Sequence, residues 1–243
     1  MPGTVPHGSP NAASPPPRAE MRERLTRGNA GDPVMMYVGR LGYEKNLDFL
    51  EGVLDRIPNL RLALVGDGPS RKDLEEGFAR FGDRVTFMGV MHGEELSAAY
   101  ASADVFAMPS ESETLGFVVL EAMASGVPVV AVRAGGIPDI VTATGDDGVG
   151  YLYESGDLDG CVAAMQRLLD DGELRARVGA AGRAEVAKWD WRAATQHLLS
   201  EQYPLAVAEG ARYYGDKFMV PRLGKSRAGA GLPEGVVPAG SSA

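Results

Sequence analysis

Short apolar runs alternate with longer amphipathic stretches from residue 34 onward, and this alternation constrains the fold more than any other feature. The runs have the length of buried strands, and the stretches between them carry apolar residues at helical spacing. The predicted strands are residues 34–38, 60–65, 85–88, 104–108 and 127–132, and the predicted helices between them are residues 47–57, 70–81, 93–102 and 116–125. Such alternation is typical of right-handed crossovers. We therefore predict an α/β fold, a Rossmann-like parallel sheet with helices on both faces, followed by C-terminal helices at 158–169, 173–188 and 191–210.

The composition divides the chain into three parts. Residues 1–17 hold six of the sixteen prolines and show no periodicity, so we predict a disordered arm or linker. Residues 18–215 carry regular patterning and form the predicted ligand-binding domain. Residues 216–243 are low in complexity, which favours a disordered tail.

The overall balance of residue types excludes several classes of protein. With 243 residues, 44% hydrophobic and 23% charged, the chain resembles an ordinary globular protein. A formal net charge of -9 argues against nucleic acid as a partner. No apolar run approaches the ~20 residues that cross a bilayer, and the first residues do not resemble a signal peptide. The single cysteine, Cys161, is predicted to be a small buried hydrophobe.

The least ordinary residues follow the predicted strands, where open α/β sheets bind their ligands. Glycines at this edge would let a ligand approach the backbone closely, and Arg40 and Lys45 are long cations suited to a diphosphate. In order of the strands, the residues are Gly39, Arg40 and Lys45; Gly66, Asp67 and Gly68; Gly89, Val90, Met91 and His92; Glu113; and Arg133, Gly135 and Gly136. Each feature has an alternative interpretation: Arg40 and Lys45 as ordinary surface charges, residues 66–68 as an ordinary turn, and His92 as a loop histidine. A dinucleotide fingerprint is disfavoured because Arg71 stands where the third glycine is needed.

The segment from residue 108 to 126 leads from the fourth strand through a polar loop into an apolar helix. Glu113 lies in the loop and Glu121 in the helix, with seven residues between them. The first N–H groups of the helix, near Leu115 and Gly116, have no intrahelical partner and can bind phosphate. Because residues 115–123 are nearly all apolar, we expect Glu121 to lie in a buried helix, where a carboxylate needs a partner. The alternative is that Glu113 is an ordinary charge in a loop and Glu121 a solvated charge on a helix.

Three motifs resemble the C-terminal, donor-binding domain of retaining GT-B glycosyltransferases. They are V-G-R-L-x-x-E-K-N-L at 38–47, V-G-D-G-P at 65–69, and the E-x7-E pair at 113 and 121 followed by A-S-G-V-P-V-V. The segments M-P-S-E-S-E-T-L-G-F-V-V-L-E-A-M and R-A-G-G-I-P-D-I are similar to the sulfoquinovosyltransferases of plants, algae and cyanobacteria. The resemblance implies the C-terminal half of a GT-B fold and transfer of sulfoquinovose from UDP-sulfoquinovose to diacylglycerol with retention.

The resemblance also implies a role for each site residue. The catalytic residues would be Arg40, Lys45 and Glu113, with the two cations stabilising the leaving UDP without a metal or another cofactor. Donor binding would involve Gly39, Arg40, Lys45 and Gly66; backbone at Val90 and Met91 for uracil; Glu113 for the donor sugar; N–H groups of Thr114, Leu115 and Gly116 for phosphate; and Glu121 for the ribose hydroxyls.

The family resemblance raises expectations beyond the donor site. Members of that family also have an N-terminal acceptor domain. We expect this chain to lack it, and therefore to bind donor but to be inactive in transfer by itself. Aromatic and cationic residues between 213 and 227 could contact an anionic membrane, or they end a helix and begin a solvated tail. The family implies the chloroplast in a eukaryote, or the cytoplasmic membrane face in a cyanobacterium. Alternative functions are another UDP-hexose-dependent glycolipid or polysaccharide transferase, and a non-catalytic nucleotide-sugar-binding protein.

Overall fold

The computed structural model describes residues 18–189, and within them six strands form one parallel sheet. The strand order is β3-β2-β1-β4-β5-β6, and every neighbouring pair is parallel. The strands are β1 (Val34–Val38), β2 (Arg61–Val65), β3 (Val85–Gly89), β4 (Val105–Met108), β5 (Val129–Val132) and β6 (Tyr151–Tyr153). The predicted Rossmann-like parallel sheet is confirmed, because the order reverses direction at β1 and β4 as in doubly wound folds.

Eight α-helices accompany the sheet within the described residues. They are α1 (Arg18–Thr26), α2 (Phe49–Arg56), α3 (Arg71–Phe78), α4 (Gly93–Ser102), α5 (Phe117–Ala124), α6 (Ile137–Ile140), α7 (Leu158–Asp170) and α8 (Gly172–Val186). Among these, α1 packs on α4, α2 on α7, and α5 on α8. The last two pairs tie the C-terminal helices to the helices of the crossovers, so α7 and α8 belong to the same packed body as the sheet.

Apolar burial explains why the predicted strands form. Every residue of β1, β2, β4 and β5 is buried, as expected for strands covered on both faces. The edge strands β3 and β6 are only partly buried. Cys161 is buried in α7, as predicted.

Three elements and the end of one helix differ most from the prediction. The sequence pattern does not predict α1, whose apolar content is low, nor the short α6 and β6. The helix predicted at 70–81 stops at Phe78, and a 3-10 stretch follows over Ala79–Arg84. Gly82 has φ 55° and ψ −127° there, a conformation that cannot continue a helix.

No helix within residues 18–189 is both long and apolar enough to cross a bilayer. The predicted arm, the helix at 191–210, the tail and the aromatic–cationic segment lie outside the described residues. Those predictions stay predictions.

Candidate functional site

A cavity of about 400 Å³ lies at the carboxyl ends of β1 and β4, the two strands where the sheet reverses direction. This is the position at which doubly wound sheets bind ligands. Four predicted site residues line the cavity, namely Gly39, Arg40, Lys45 and Glu113. The other lining residues are Tyr37, Val38, Glu44, Met108, Phe117 and Val118. The sheet therefore brings together segments that are distant in the chain.

Lys45 and Glu113 form a largely buried ion pair on the wall of this cavity. Nζ of Lys45 donates to Oε2 of Glu113 at 3.0 Å, and the side chains are only 17% and 19% exposed. Oε1 of Glu113 accepts the N–H of Gly116 at 3.2 Å, the residue just before α5. The predicted cation, carboxylate and helix N-terminus therefore meet at one point.

The backbone conformation after β1 places Lys45 beside Glu113. A single 3-10 turn, Tyr43–Lys45, follows β1, and Asn46 ends it in the left-handed region at φ 52°. Asparagine tolerates that conformation better than most residues. The N–H of Lys45 also donates to the carbonyl of Gly42, which closes the turn.

The second cation of the cavity is also paired. Arg40 donates to Oε1 of Glu44 at 2.9 Å in a pair that is largely exposed. The sequence analysis did not single out Glu44, although its spacing of four residues from Arg40 was the available signal. With Arg40, Lys45, Glu44 and Glu113 on its wall, the cavity carries cationic and acidic charges in equal number.

Tyr37 is a further wall residue that the sequence analysis missed. It is fully buried in β1, and its hydroxyl donates to the carbonyl of Arg40 at 3.1 Å. Burial raises the pKa of Tyr37 well above its usual value, and the charges of Glu113 and Glu44 raise it further. The hydroxyl therefore stays protonated and holds the backbone just ahead of Lys45.

The prediction that Glu121 lies in a buried helix is wrong. Glu121 is exposed, because α5 buries only Val119, Ala122 and Met123 and leaves Phe117 exposed. Glu121 has a partner nevertheless: the buried Tyr100 hydroxyl donates to its Oε2 at 3.0 Å. Glu121 does not line the cavity, whose wall on α5 reaches only to Val118.

The glycines at the sheet edge accommodate protein backbone. A Cβ at Gly135 would lie 2.2 Å from the carbonyl oxygen of Glu113, and one at Gly136 would lie 2.3 Å from that of Thr114. The N–H of Gly136 donates to the Glu113 carbonyl at 2.8 Å. Glycine is therefore required there because the loop after β5 clamps the loop that carries Glu113.

The glycines after β2 have a similar reason. A Cβ at Gly66 would meet the carbonyl oxygen of Gly39 at 1.9 Å, and one at Gly68 would meet that of Leu41 at 2.3 Å. The close approach lets the N–H of Leu41 donate to the carbonyl of Asp67 at 3.0 Å, which holds the segment between Gly39 and Leu41 in place. The structure thus explains Gly66 by backbone packing, and its predicted donor contact stays a prediction.

The remaining predicted donor-binding residues do not line the cavity. Val90 is 57% and Leu115 60% exposed, Thr114 is exposed, and Met91 is buried. Their backbone contacts with a ligand stay predictions. Within residues 18–189, no group of three or more His, Cys, Asp or Glu side chains could hold a metal ion.

Comparison with known proteins gives this arrangement a family. Residues 20–185 match the family model for "Glycosyl transferases group 1". The chain belongs to the group 1 glycosyltransferase family. Its parallel sheet and the position of its cavity are those expected for the predicted Rossmann-like domain of a GT-B glycosyltransferase.

Two relatives of this glycosyltransferase chain carry names that specify different sugars. The chain is 52% identical over 188 residues to the sulfoquinovosyl transferase of Arabidopsis thaliana, a match that covers 77% of this chain and 36% of the relative. It is 39% identical over 195 residues to a GDP-mannose-dependent phosphatidylinositol monomannoside mannosyltransferase of Mycolicibacterium smegmatis, covering 74% of this chain and 50% of the relative. The chain therefore spans a third to a half of the length of these relatives.

Solved structures support the same fold for the glycosyltransferase chain. Sucrose-phosphate synthase from Thermosynechococcus elongatus matches with a TM-score of 0.65 and 32% identity over 77% of this chain and 49% of that chain. The Anabaena protein HepE in complex with UDP-glucose matches with a TM-score of 0.62 and 27% identity over 70% of this chain and 48% of that chain. Both matches cover about half of the solved chain.

Proposed function

We propose that this chain is the donor-binding part of a retaining glycosyltransferase that transfers sulfoquinovose from UDP-sulfoquinovose to diacylglycerol. The observation that carries the donor-binding part is the meeting of Lys45 and the Gly116 N–H at the carboxylate of Glu113, on the wall of the cavity. The identity of 52% to a sulfoquinovosyl transferase supports the choice of sugar.

The cavity suits a sugar diphosphate because its cations can exchange partners. Arg40 and Lys45 are held by the carboxylates of Glu44 and Glu113. A bound diphosphate would take over these charge-assisted hydrogen bonds, which are stronger than neutral ones. Glu113, once released from Lys45, would be free to accept hydrogen bonds from hydroxyls of the donor sugar.

The same groups account for the chemistry. In the transfer step, the bond between the anomeric carbon and the β-phosphate oxygen breaks, and the acceptor oxygen forms the new bond on the same face. Because the new bond forms on the face that the leaving group vacates, configuration is retained. The acceptor proton passes to the leaving phosphate. Negative charge grows on UDP, and Arg40 and Lys45 would stabilise it electrostatically. N–H groups of Thr114, Leu115 and Gly116 would add the favourable end of the α5 dipole, about 0.3–1 kcal/mol.

The ribose and the base would lie along the edge beyond the cavity. Glu121 would accept the ribose hydroxyls, and backbone at Val90 and Met91 would pair with uracil. The exposure of Glu121 supports this assignment, because a ribose can reach its carboxylate from solvent.

A second donor class is favoured by one comparison. The mycobacterial relative is named as dependent on GDP-mannose, so the alternative is a glycolipid transferase with another nucleotide sugar. Calorimetric titration of the chain with UDP-sulfoquinovose, UDP-glucose and GDP-mannose separates the two. Tightest binding of UDP-sulfoquinovose is expected; a preference for either other donor would overturn the proposed sugar.

Binding and transfer are expected to be separable in this chain, because it matches only part of its relatives. The purified chain should bind UDP yet produce no sulfolipid from UDP-sulfoquinovose and diacylglycerol vesicles. Fusion to the N-terminal domain of the Arabidopsis relative should restore product. Transfer by the unfused chain would contradict this expectation, and a fusion that binds donor without product would favour a non-catalytic binding role.

A further inference from the structure

Tyr100 makes two hydrogen-bond contacts to α5 that the donor site described above does not use. Its hydroxyl lies 3.0 Å from Oε2 of Glu121 and 3.2 Å from the carbonyl oxygen of Val118. A phenol carries a single hydrogen, and the charged Glu121 oxygen is the stronger acceptor. The hydroxyl therefore restrains the Glu121 side chain from beneath the helix.

The tyrosine itself is rigidly held. Tyr100 is 2% exposed in the last turns of α4, and its ring packs on Phe106 of β4 with centroids 5.9 Å apart. Burial, followed by the charge of Glu121, raises the pKa of the Tyr100 hydroxyl far above its usual value. The hydroxyl is consequently a fixed, permanently protonated donor.

Glu121 needs such a restraint more than most carboxylates would. It is exposed, and an exposed glutamate side chain samples many rotamers, the loss of which costs up to about 2 kcal/mol of conformational free energy on binding. Within residues 18–189 no group bonds to its Oε1, and Oε2 keeps a second lone pair. The carboxylate is thus oriented but still able to accept two hydroxyls.

We propose that Tyr100 is a positioning residue that pre-orients Glu121 for the vicinal hydroxyls of the donor ribose. The inference rests on the proposed function, in which Glu121 binds that ribose. Tyr100 contributes affinity only by restraining Glu121 before binding, in the manner of preorganised sites. Its contribution should therefore disappear when the ligand has no ribose hydroxyls.

The test compares UDP with 2′,3′-dideoxy-UDP on the full 243-residue chain by calorimetry. Tyr100→Phe keeps the ring on Phe106 and removes only the hydroxyl. We expect it to weaken UDP binding about five- to tenfold and to leave dideoxy-UDP binding unchanged. Tyr151→Phe is the matched control, because it removes another tyrosine–carboxylate bond, to Asp146, away from the cavity.

Three outcomes separate this inference from the proposed function. If the wild-type chain binds the two ligands equally, or neither, the ribose role of Glu121 fails and Tyr100 falls with it. Suppose that the wild type discriminates between the two ligands, that Glu121→Ala removes this discrimination and that Tyr100→Phe keeps it. Then only the role of Tyr100 is overturned. An equal loss of both ligands in Tyr100→Phe would indicate a structural role and overturn positioning as well.

If Tyr100→Phe does not fold, the proposal can still be tested on the wild-type chain. In a chain with 13Cζ-labelled tyrosine, the NMR signal of Tyr100 should shift when UDP is added and shift much less with dideoxy-UDP. Equal shifts with both ligands would overturn the proposal.

Discussion

Nζ of Lys45 lies 3.0 Å from Oε2 of Glu113, although 68 positions separate the two residues in the chain. The contact joins the turn after β1 to the loop after β4, across the point where the sheet reverses direction. It is the part of the candidate site that mutation can test most directly.

Replacing Lys45 with methionine should weaken UDP binding by at least about 30-fold. The variant keeps the apolar stem and removes the charge that would face the diphosphate, and loss of a buried charged partner costs about 2–5 kcal/mol. Calorimetric titration measures the change. Lys72→Met is the control, because Lys72 is exposed and pairs with Glu76 on the surface of α3. Equal affinities in Lys45→Met and the wild type would contradict the site.

Replacing Glu44 with glutamine should tighten UDP binding, by up to about fivefold. The change releases Arg40 from an exposed pair worth about 0–1 kcal/mol and removes a negative charge that repels the diphosphate. The gain should shrink at 1 M salt because exposed charges are screened. Glu75→Gln, which breaks a similar surface pair with Arg71, should change nothing. Weaker binding in Glu44→Gln would contradict the idea that Arg40 exchanges Glu44 for the diphosphate.

Replacing Gly135 with alanine should both destabilise the protein and impair UDP binding. The residue has φ +56°, and a Cβ would lie 2.2 Å from the carbonyl oxygen of Glu113. The loop that carries Glu113 must shift to relieve that contact. Urea unfolding should show a loss of about 2–4 kcal/mol, above the 1–2 kcal/mol of left-handed strain alone.

Gly126→Ala is the matched control for that strain. Gly126 has φ +74° just after the C-terminal end of α5, and a Cβ there would meet nothing within 4 Å. It should lose about 1–2 kcal/mol with unchanged UDP affinity. If both variants lose equal stability and neither loses affinity, the loop after β5 does not position the loop that carries Glu113.

Stability should fall steeply above pH 10 because buried tyrosines resist ionisation. Burial raises the pKa of Tyr37, Tyr100 and Tyr153 above the ordinary value near 10. The folded state then keeps protons that the unfolded state releases, so the stabilisation is complete below pH 10 and is lost as pH rises toward the folded pKa values. Each such tyrosine contributes a slope of about 1.4 kcal/mol per pH unit.

Urea midpoints measured between pH 9 and 11 test this slope. Tyr153→Phe keeps the ring that stacks on Phe49 and removes one ionisable group, so its slope should be smaller by about one tyrosine. A slope identical to that of the wild type would contradict the assignment to Tyr153.

The sequence alone determined five of the six strands and most of the helices. Short runs that are apolar throughout, such as Val34–Val38, are typical of strands buried on both faces, and the amphipathic spacing between them indicates crossover helices. The cations after β1 and the acidic loop after β4 could be assigned to one edge, because all carboxyl ends of a parallel sheet meet there. Short or polar elements such as β6 and α1 carry no periodic signal, so they could not be predicted.

Only the tertiary structure decided which groups face one another. Glu121 looked buried because its neighbours in the chain are apolar, yet α5 leaves Phe117 and Glu121 exposed at its surface. The bond of the Tyr100 hydroxyl to Glu121 and the close approach of Gly135 to the Glu113 carbonyl depend on backbones brought together from different crossovers. Periodicity describes one segment at a time, whereas these contacts depend on distances of a few ångströms between segments, which packing alone sets.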